Sequence, residues 1–525
     1  MKTKEKWIMP RLIAAVLSAA MLVGTLAGCS EKTDEGETKQ TNTANPTVGS
    51  ATTGEEETKQ DLAANYLQDN LGEYDFEGHV YLVGTGIHGT YPVSTFSVED
   101  AAADVMDESL YKRNIQIEDR FNIEFAEEVF PDIFNINELV KQIVAADTRE
   151  YDMLMQIDRF ACVSAINGYL LNYYDLPKID LSREYWYQNL INDLTVHGCL
   201  FFAAGYDNLV YTTTVTHLLF NQNLITQYNL DNPFELVRNG VWTNDRFFEM
   251  CEVATNDLNG DGKWTDTDGY GVVEVNNMFW TNFWIADDVK LVDKDEEGDL
   301  FYNALNNEKF YNVSQYLSRK TNGNHLVFEV GGKIPITTYK TDGSAYNLAM
   351  SMFMGGNVMF CAASLITLLD ARGMEDDFGI IPYPRSEEVA AGTSYNSRTF
   401  GGFPYVVPSN KNDAEKERTS VIMEALACAS YNLVKPALFD KVFRGKVSRN
   451  PDSVEMMEMI IENRVTDLGE TYLFDYVEAP IEAIFAAGDA MNVASKTASR
   501  EKQATKMIGK YNDAFRELYE RRNEG

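Results

Sequence analysis

Five residues in "DLNGDGKWTDTD" have types and spacing that could hold a metal. Asp257, Asn259, Asp261, Gly262 and Asp268 stand at positions 1, 3, 5, 6 and 12 of the stretch, and the Lys263 carbonyl falls at position 7. Hard oxygen ligands around a glycine turn suit Ca²⁺. Asp268 replaces the bidentate glutamate of a calcium sensor, and Trp264 stands at position 8. No partner loop accompanies this one, so the expected cofactor is a structural Ca²⁺; a plain turn is the alternative.

A second stretch, "NNMFWTNFWIADD", packs Phe279, Trp280, Phe283 and Trp284 beside Asn and Asp residues. A flat aromatic face can lie on the C–H face of a sugar ring while amides and carboxylates bond its hydroxyls. A buried core helix explains the same cluster equally well. Catalytic patterns are sparse. No GxSxG, HExxH or GxxxxGK[ST] occurs, and His79, His88, His197, His217 and His325 share no metal-ligand spacing. With 80 carboxylates in the chain, an acid pair could be drawn anywhere and would mean nothing. The reading is therefore a binding protein, not an enzyme. "GTGIHG", from Gly84 to Gly89, satisfies GxGxxG, but "TYPVSTF" follows where a dinucleotide site needs a helix. Backbone amides facing a ligand or another lobe are the better reading.

The elements that position these residues alternate. "HVYLVGTG", "NIEFAEEVF" and "YDMLMQI" are strand-like; "SVEDAAADVMDESLYKRNIQIEDRF", with a Ser97-to-Asp100 capping box, and "DIFNINELVKQIVAAD" are helical. Such alternation predicts an α/β fold with parallel sheets, which bind ligands beyond their strand C-termini. The first 28 residues form a basic and then apolar secretory leader, too short to span a bilayer. "LAGC" resembles a bacterial lipobox and makes Cys29 the expected diacylated anchor, on the extracytoplasmic face of the cell membrane. Residues 29–77 are expected to be a polar tether. Cys162, Cys199, Cys251, Cys361 and Cys428 form no CxxC pair, so neither a zinc nor a disulfide framework is expected. A formal charge of −35 argues against nucleic-acid and anionic-lipid partners.

Several stretches, in colinear order over about residues 78–450, resemble the sugar-binding family of extracellular solute-binding proteins of ABC importers, which includes the maltose-binding proteins. They are "YDMLMQIDRFACVSAINGYLLNYYDL", "LLFNQNLITQYNLDNPFELVRNGVWTNDRFFEMCEVAT", the aspartate-rich loop, "MFMGGNVMFCAASL", "DFGIIPYPR" and "GGFPYVVPSNKNDAEKERTSVIMEAL". The resemblance implies a periplasmic-binding-protein type II-like fold, two α/β lobes joined by a multi-crossing hinge. It places crossings near Tyr211, Pro382 and Val434, dividing the chain into 78–209 with 382–433 and 210–381 with 434–525. Asp158 and Arg159 match a pair that bonds sugar hydroxyls, and Phe279 and Trp280, with Trp284 nearby, match an aromatic region of the second lobe. Tyr211 falls at the first crossing, and Phe403 and Tyr405 after the return. The implied function is capture of an extracellular carbohydrate, an oligosaccharide by preference, by a monomer that delivers it to ABC permease subunits. A surface glycoside hydrolase and a non-transport glycan-binding lipoprotein are the alternatives.

Overall fold

The computed structural model describes residues 66–88, 91–92, 96, 105–275, 278–339, 345–439 and 450–524. All of these belong to one compact unit, Tyr66–Gly525. The leader, Cys29, the tether up to Asn65 and the capping box at Ser97–Asp100 lie outside the described residues. The remainder of the expected tether, Tyr66–Glu77, lies against the body: the Leu67 N–H donates to Asn432 at 3.0 Å and Arg120 pairs with Asp69.

The first sheet is built from βαβ units. Strand β1 (His79–His88) precedes α1 (Val105–Phe121), β2 (Ile123–Phe130), α2 (Asn135–Ala146), β3 (Met153–Met155) and α3 (Asp158–Ile166). β1 runs parallel to β2, from His79 opposite Ile123 to Gly86 opposite Phe130, and parallel to β3 on its other side. Parallel neighbours require crossovers, and the helices supply them. Helix α2 buries Ile136, Val140 and Ile143, a single stripe at i, i+4 and i+7. It stops where Asp147 turns left-handed at φ 51°.

The second sheet follows a long connection. β4 (Thr216–Asn221), α4 (Asn244–Ala254), β5 (Tyr270–Val275), α5 (Met278–Ala286), α6 (Glu308–Thr321), β6 (Val327–Val330), α7 (Ala345–Met354), β7 (Val358–Ser364) and β8 (Phe378–Ile381) come in that order. In space the strands run β8-β4-β7-β5-β6. β7, β5 and β6 are parallel, and β4 is antiparallel to both neighbours. All of β4 and β5 is buried, as strands covered on both faces should be.

The chain then returns. Arg385–Asn396 stays with the second sheet's loops: the Asn244 N–H donates to the Arg385 carbonyl at 2.7 Å, and Asn396 bonds Asp288 at 2.6 Å. Where the sequence suggests a return near Pro382, the segment that runs back is Ser397–Phe403. It lies beside the outgoing chain, with Val215 bridging Thr399 and the Phe400 N–H donating to the Thr214 carbonyl at 3.1 Å. The Tyr211 ring fills the space over Gly402, so a Cβ there would stand 2.1 Å from it. β9 (Tyr405–Val406) then joins the first sheet antiparallel to β3.

Helix α8 (Asp413–Pro436) opens with an Asn412–Glu415 capping box and packs on α1. α9 (Pro451–Glu462) covers β8. α10 (Leu468–Thr471), α11 (Glu478–Ala486) and α12 (Val493–Glu524) complete the chain. α12 reaches both halves: Arg522 donates to the Gly198 and Tyr174 carbonyls at 3.2 and 3.1 Å, and Asn512 exchanges hydrogen bonds with the Leu300 backbone at 2.9 and 3.0 Å. The five cysteines of the body are buried and free.

Candidate functional site

Ligand sites in parallel sheets form beyond the strand C-termini, and in the first sheet that edge carries Asp158 and Arg159. Helix α3 starts immediately after β3, and Asp158 uses Oδ1 to accept the Arg159 N–H at 2.7 Å while its own N–H donates to the Gly402 carbonyl at 3.0 Å. Its side chain is nearly fully buried. Burial pushes the carboxyl up to about 7; the Arg159 N–H opposes this and nearby Glu470 reinforces it. The Arg159 guanidinium lies between two rings, 5.3 Å from Phe160 and 5.0 Å from Phe474. Its Nε is buried and has no hydrogen-bond partner among the described residues.

Beside it runs a chain of partly exposed rings. Phe160 meets Phe134 at 5.9 Å, Phe134 meets His88 at 6.1 Å, and His88 meets Phe403 at 5.3 Å. His88 ends β1, Phe134 follows β2 and Phe160 follows β3, so the aromatic wall stands on three consecutive strand C-termini. Phe134 is 41% exposed, which leaves a ring face for a ligand.

The second sheet contributes a small cavity of about 20 Å³ whose lining sets hydroxyls and one amide among the apolar Val275, Ala362 and Ala363. Thr216 at the start of β4, Val275 at the end of β5 and Ser364 at the end of β7 line it with Asn282, Tyr346 and Tyr383. The Thr216 hydroxyl lies against Asn282 and against the Arg398 carbonyl, 3.1 Å away. As it stands the cavity holds about one water.

Arg398 joins the two sides. It is 1% exposed and grips Glu470 with two hydrogen bonds of 2.8 Å, with Glu478 at 3.5 Å. The Thr281 hydroxyl donates to Glu478 at 2.8 Å. Burial alone would favour deprotonation of Arg398, but Glu470 and Glu478 hold it above its ordinary range. One helical turn further on, burial pushes Glu482 up to about 7.

The residues singled out from sequence land in different places. Asp158, Arg159 and Phe403 share the first side. Phe279 and Trp284 are 1% and 0% exposed. Phe279 packs on Phe283 at 4.7 Å and Trp284 on Phe310 at 4.9 Å, with the Trp284 N–H donating to Ser314. Both are core side chains, and neither presents a free face. Trp280 packs on Phe485 at 4.6 Å. Tyr211 and Tyr405 are buried, the first over Gly402 and the second against Phe96 at 5.7 Å. No motif or spacing in the sequence marks Phe134, Phe474, Arg398, Glu470 or Glu478, and His88 carries only the GTGIHG reading of backbone amides facing a ligand or another lobe. For Phe160 the signal was present, directly after Asp158 and Arg159; Phe474 carries none.

The aspartate-rich loop is a closed turn. Asp257 accepts the Gly260 and Gly262 N–H groups at 2.8 and 2.7 Å, with both glycines at positive φ. Asn259 accepts from Asp261 and Asp261 from Lys263; buried Asp268 accepts from Leu258 and Thr265. Trp264 leaves the loop to stack on His325 at 4.1 Å. Among the described residues no three acidic, His or Cys side chains converge as a metal would need, so the loop's carboxylates are engaged by its own backbone in this conformation.

Neither a family model nor a curated protein matches the sequence. Solved structures do resemble the fold. UspC of Mycobacterium tuberculosis is 14% identical with a TM-score of 0.51, covering 81% of this chain and 99% of its own. UgpB from the same organism, solved in complex with glycerophosphocholine, is 15% identical with a TM-score of 0.50, covering 80% and 100%. An ABC substrate-binding protein from Listeria monocytogenes, in complex with cycloalternan, is 11% identical with a TM-score of 0.50, covering 82% and 99%.

Proposed function

We propose that this chain, which has the type II periplasmic-binding-protein-like fold of ABC solute-binding proteins, captures a carbohydrate between its two sheets and hands it to a membrane permease. One observation carries the reading. Two sheet edges, one bearing a guanidinium and an exposed aromatic wall and the other several hydroxyls and the Asn282 amide, are joined by adjacent crossing segments at Thr214, Phe400 and Val465. Sugars need this combination, with ring faces for their C–H surface and forked donors and acceptors for their hydroxyls. The wall of His88, Phe134, Phe160 and Phe403, rather than helix α5, supplies the stacking faces in this proposal, and Arg159 is its principal hydrogen-bond donor. The small cavity at Thr216 and Ser364 widens when the lobes part about the crossings at Thr214 and Phe400, and closure excludes water from both ligand faces.

The test is a thermal-shift screen of the full-length protein against neutral and charged mono- and oligosaccharides, with chromatography of each mixture. At least one glycan class should raise the melting temperature without product appearing. No shift with any glycan overturns the carbohydrate reading. Released product would favour a surface hydrolase instead.

A further inference from the structure

Away from the cleft, a groove of about 270 Å³ opens on the second-sheet side between α4, α6 and the segment around Ser386. Asn244 lines it; as the first residue of α4 it is only 3% exposed. The hydrogen bonds fix which way its amide points. Nδ2 donates to Ser386 Oγ at 3.3 Å, and the Ser386 hydroxyl proton is already given to Asp287. Flipping the amide would set two acceptors against each other. Asn244 Oδ1 is therefore left as a buried acceptor with no donor among the described residues, a state that favours any ligand bringing one.

The walls suit a particular kind of donor. Tyr316, half-buried, lines the groove, with its hydroxyl on Asp245 and its ring edge-on to Phe248 at 5.9 Å. Exposed Asn312 and Arg319 add hydrogen-bond donors at the rim. Asp245 and Arg319 offset each other in charge, so neither a strong anion nor a strong cation is favoured. The volume lies just below the ~300–1,000 Å³ of sites for drug-sized ligands, which suits one ring and not a chain of them. We propose that this groove is a second carbohydrate-binding site, separate from the cleft, which takes a single neutral polyhydroxylated ring with one hydroxyl donating to Asn244 Oδ1 and the ring face against Tyr316.

Saturation-transfer NMR with methyl α-D-glucopyranoside tests this, in an Asp158→Ala background that removes the carboxyl holding the Arg159 N–H and so disturbs the cleft's principal donor. Transfer to the glucoside should persist in Asp158→Ala. It should fall several-fold when Asn244→Leu or Arg319→Gln is added, each double variant being checked by its melting curve. Arg319 is exposed, so its loss reads binding even if Asn244→Leu fails to fold. Transfer absent from Asp158→Ala, or unchanged in both double variants, overturns the second site. Neither result bears on the cleft, which is judged by the glycan screen of the wild type.

Discussion

Asp158 combines deep burial with an ionisable group, and that pairing has a measurable sign. The folded protein keeps the proton up to about pH 7, whereas the free side chain titrates near 3.8. Folding is then favoured most below the lower value, and this contribution fades as pH rises through the interval. Melting temperature should decline for the wild type from pH 5 to 8 and decline less for Asp158→Asn, a difference on the order of a few kcal/mol at the upper end. Asp467, Glu482 and Glu424 are shifted up in the same direction, so the difference between the two proteins, rather than either curve, reports Asp158. Equal slopes would mean the carboxylate stays ionised. Arg398 makes the opposite case. Arg398→Gln strands Glu470 and Glu478 without their cation, and losing one partner of a buried pair costs about 3–5 kcal/mol. Urea denaturation should show that loss, and an undiminished midpoint would place the pair closer to water than it stands here.

Among the elements, the paired crossing segments depend on one missing side chain. Gly402→Ala puts a methyl group 2.1 Å from the Tyr211 ring, and overpacking of that kind costs about 1–3 kcal/mol. Denaturant melts should register it, and an unaffected variant would show that Tyr211 can swing aside. The aspartate-rich loop is a separate element with its own test. We propose that it takes a structural Ca²⁺ by drawing Asp257, Asp261 and Asp268 away from the backbone N–H groups they now accept, around a turn that Gly260 and Gly262 already make. A site filled to 100 times its dissociation constant adds about 2.7 kcal/mol. EDTA should lower the melting temperature of the wild type and leave that of Asp261→Ala alone; identical behaviour of the two, with no metal retained, reduces the loop to a turn. The helices and strands were legible where a single period dominates, as in Ile136, Val140 and Ile143 of α2. Helix α5 was not, because an aromatic cluster reads the same whether it packs into a core or faces a sugar. The Arg159–Phe474 contact joins residues from distant parts of the sequence, and no spacing rule reaches that far.

For the molecule as a whole, the expected anchor at Cys29 is testable without knowing the ligand. Metabolic labelling with a fatty-acid analogue should mark the wild type and spare Cys29→Ser; equal labelling rules the site out. The architecture also constrains the order in which the molecule can assemble. Arg398 waits for Glu470 and Glu478, and α12 closes onto Gly198, 324 residues earlier in the chain than Arg522. Contacts of that separation are slow to form, because loop entropy is lost before they reward it. A chain still emerging from the ribosome has its βαβ units but not the C-terminal segment that ties the two sheets together. Helix α12 therefore belongs among the late contacts of the fold, because its partners Leu300 and Gly198 lie 212 and 324 residues earlier in the chain.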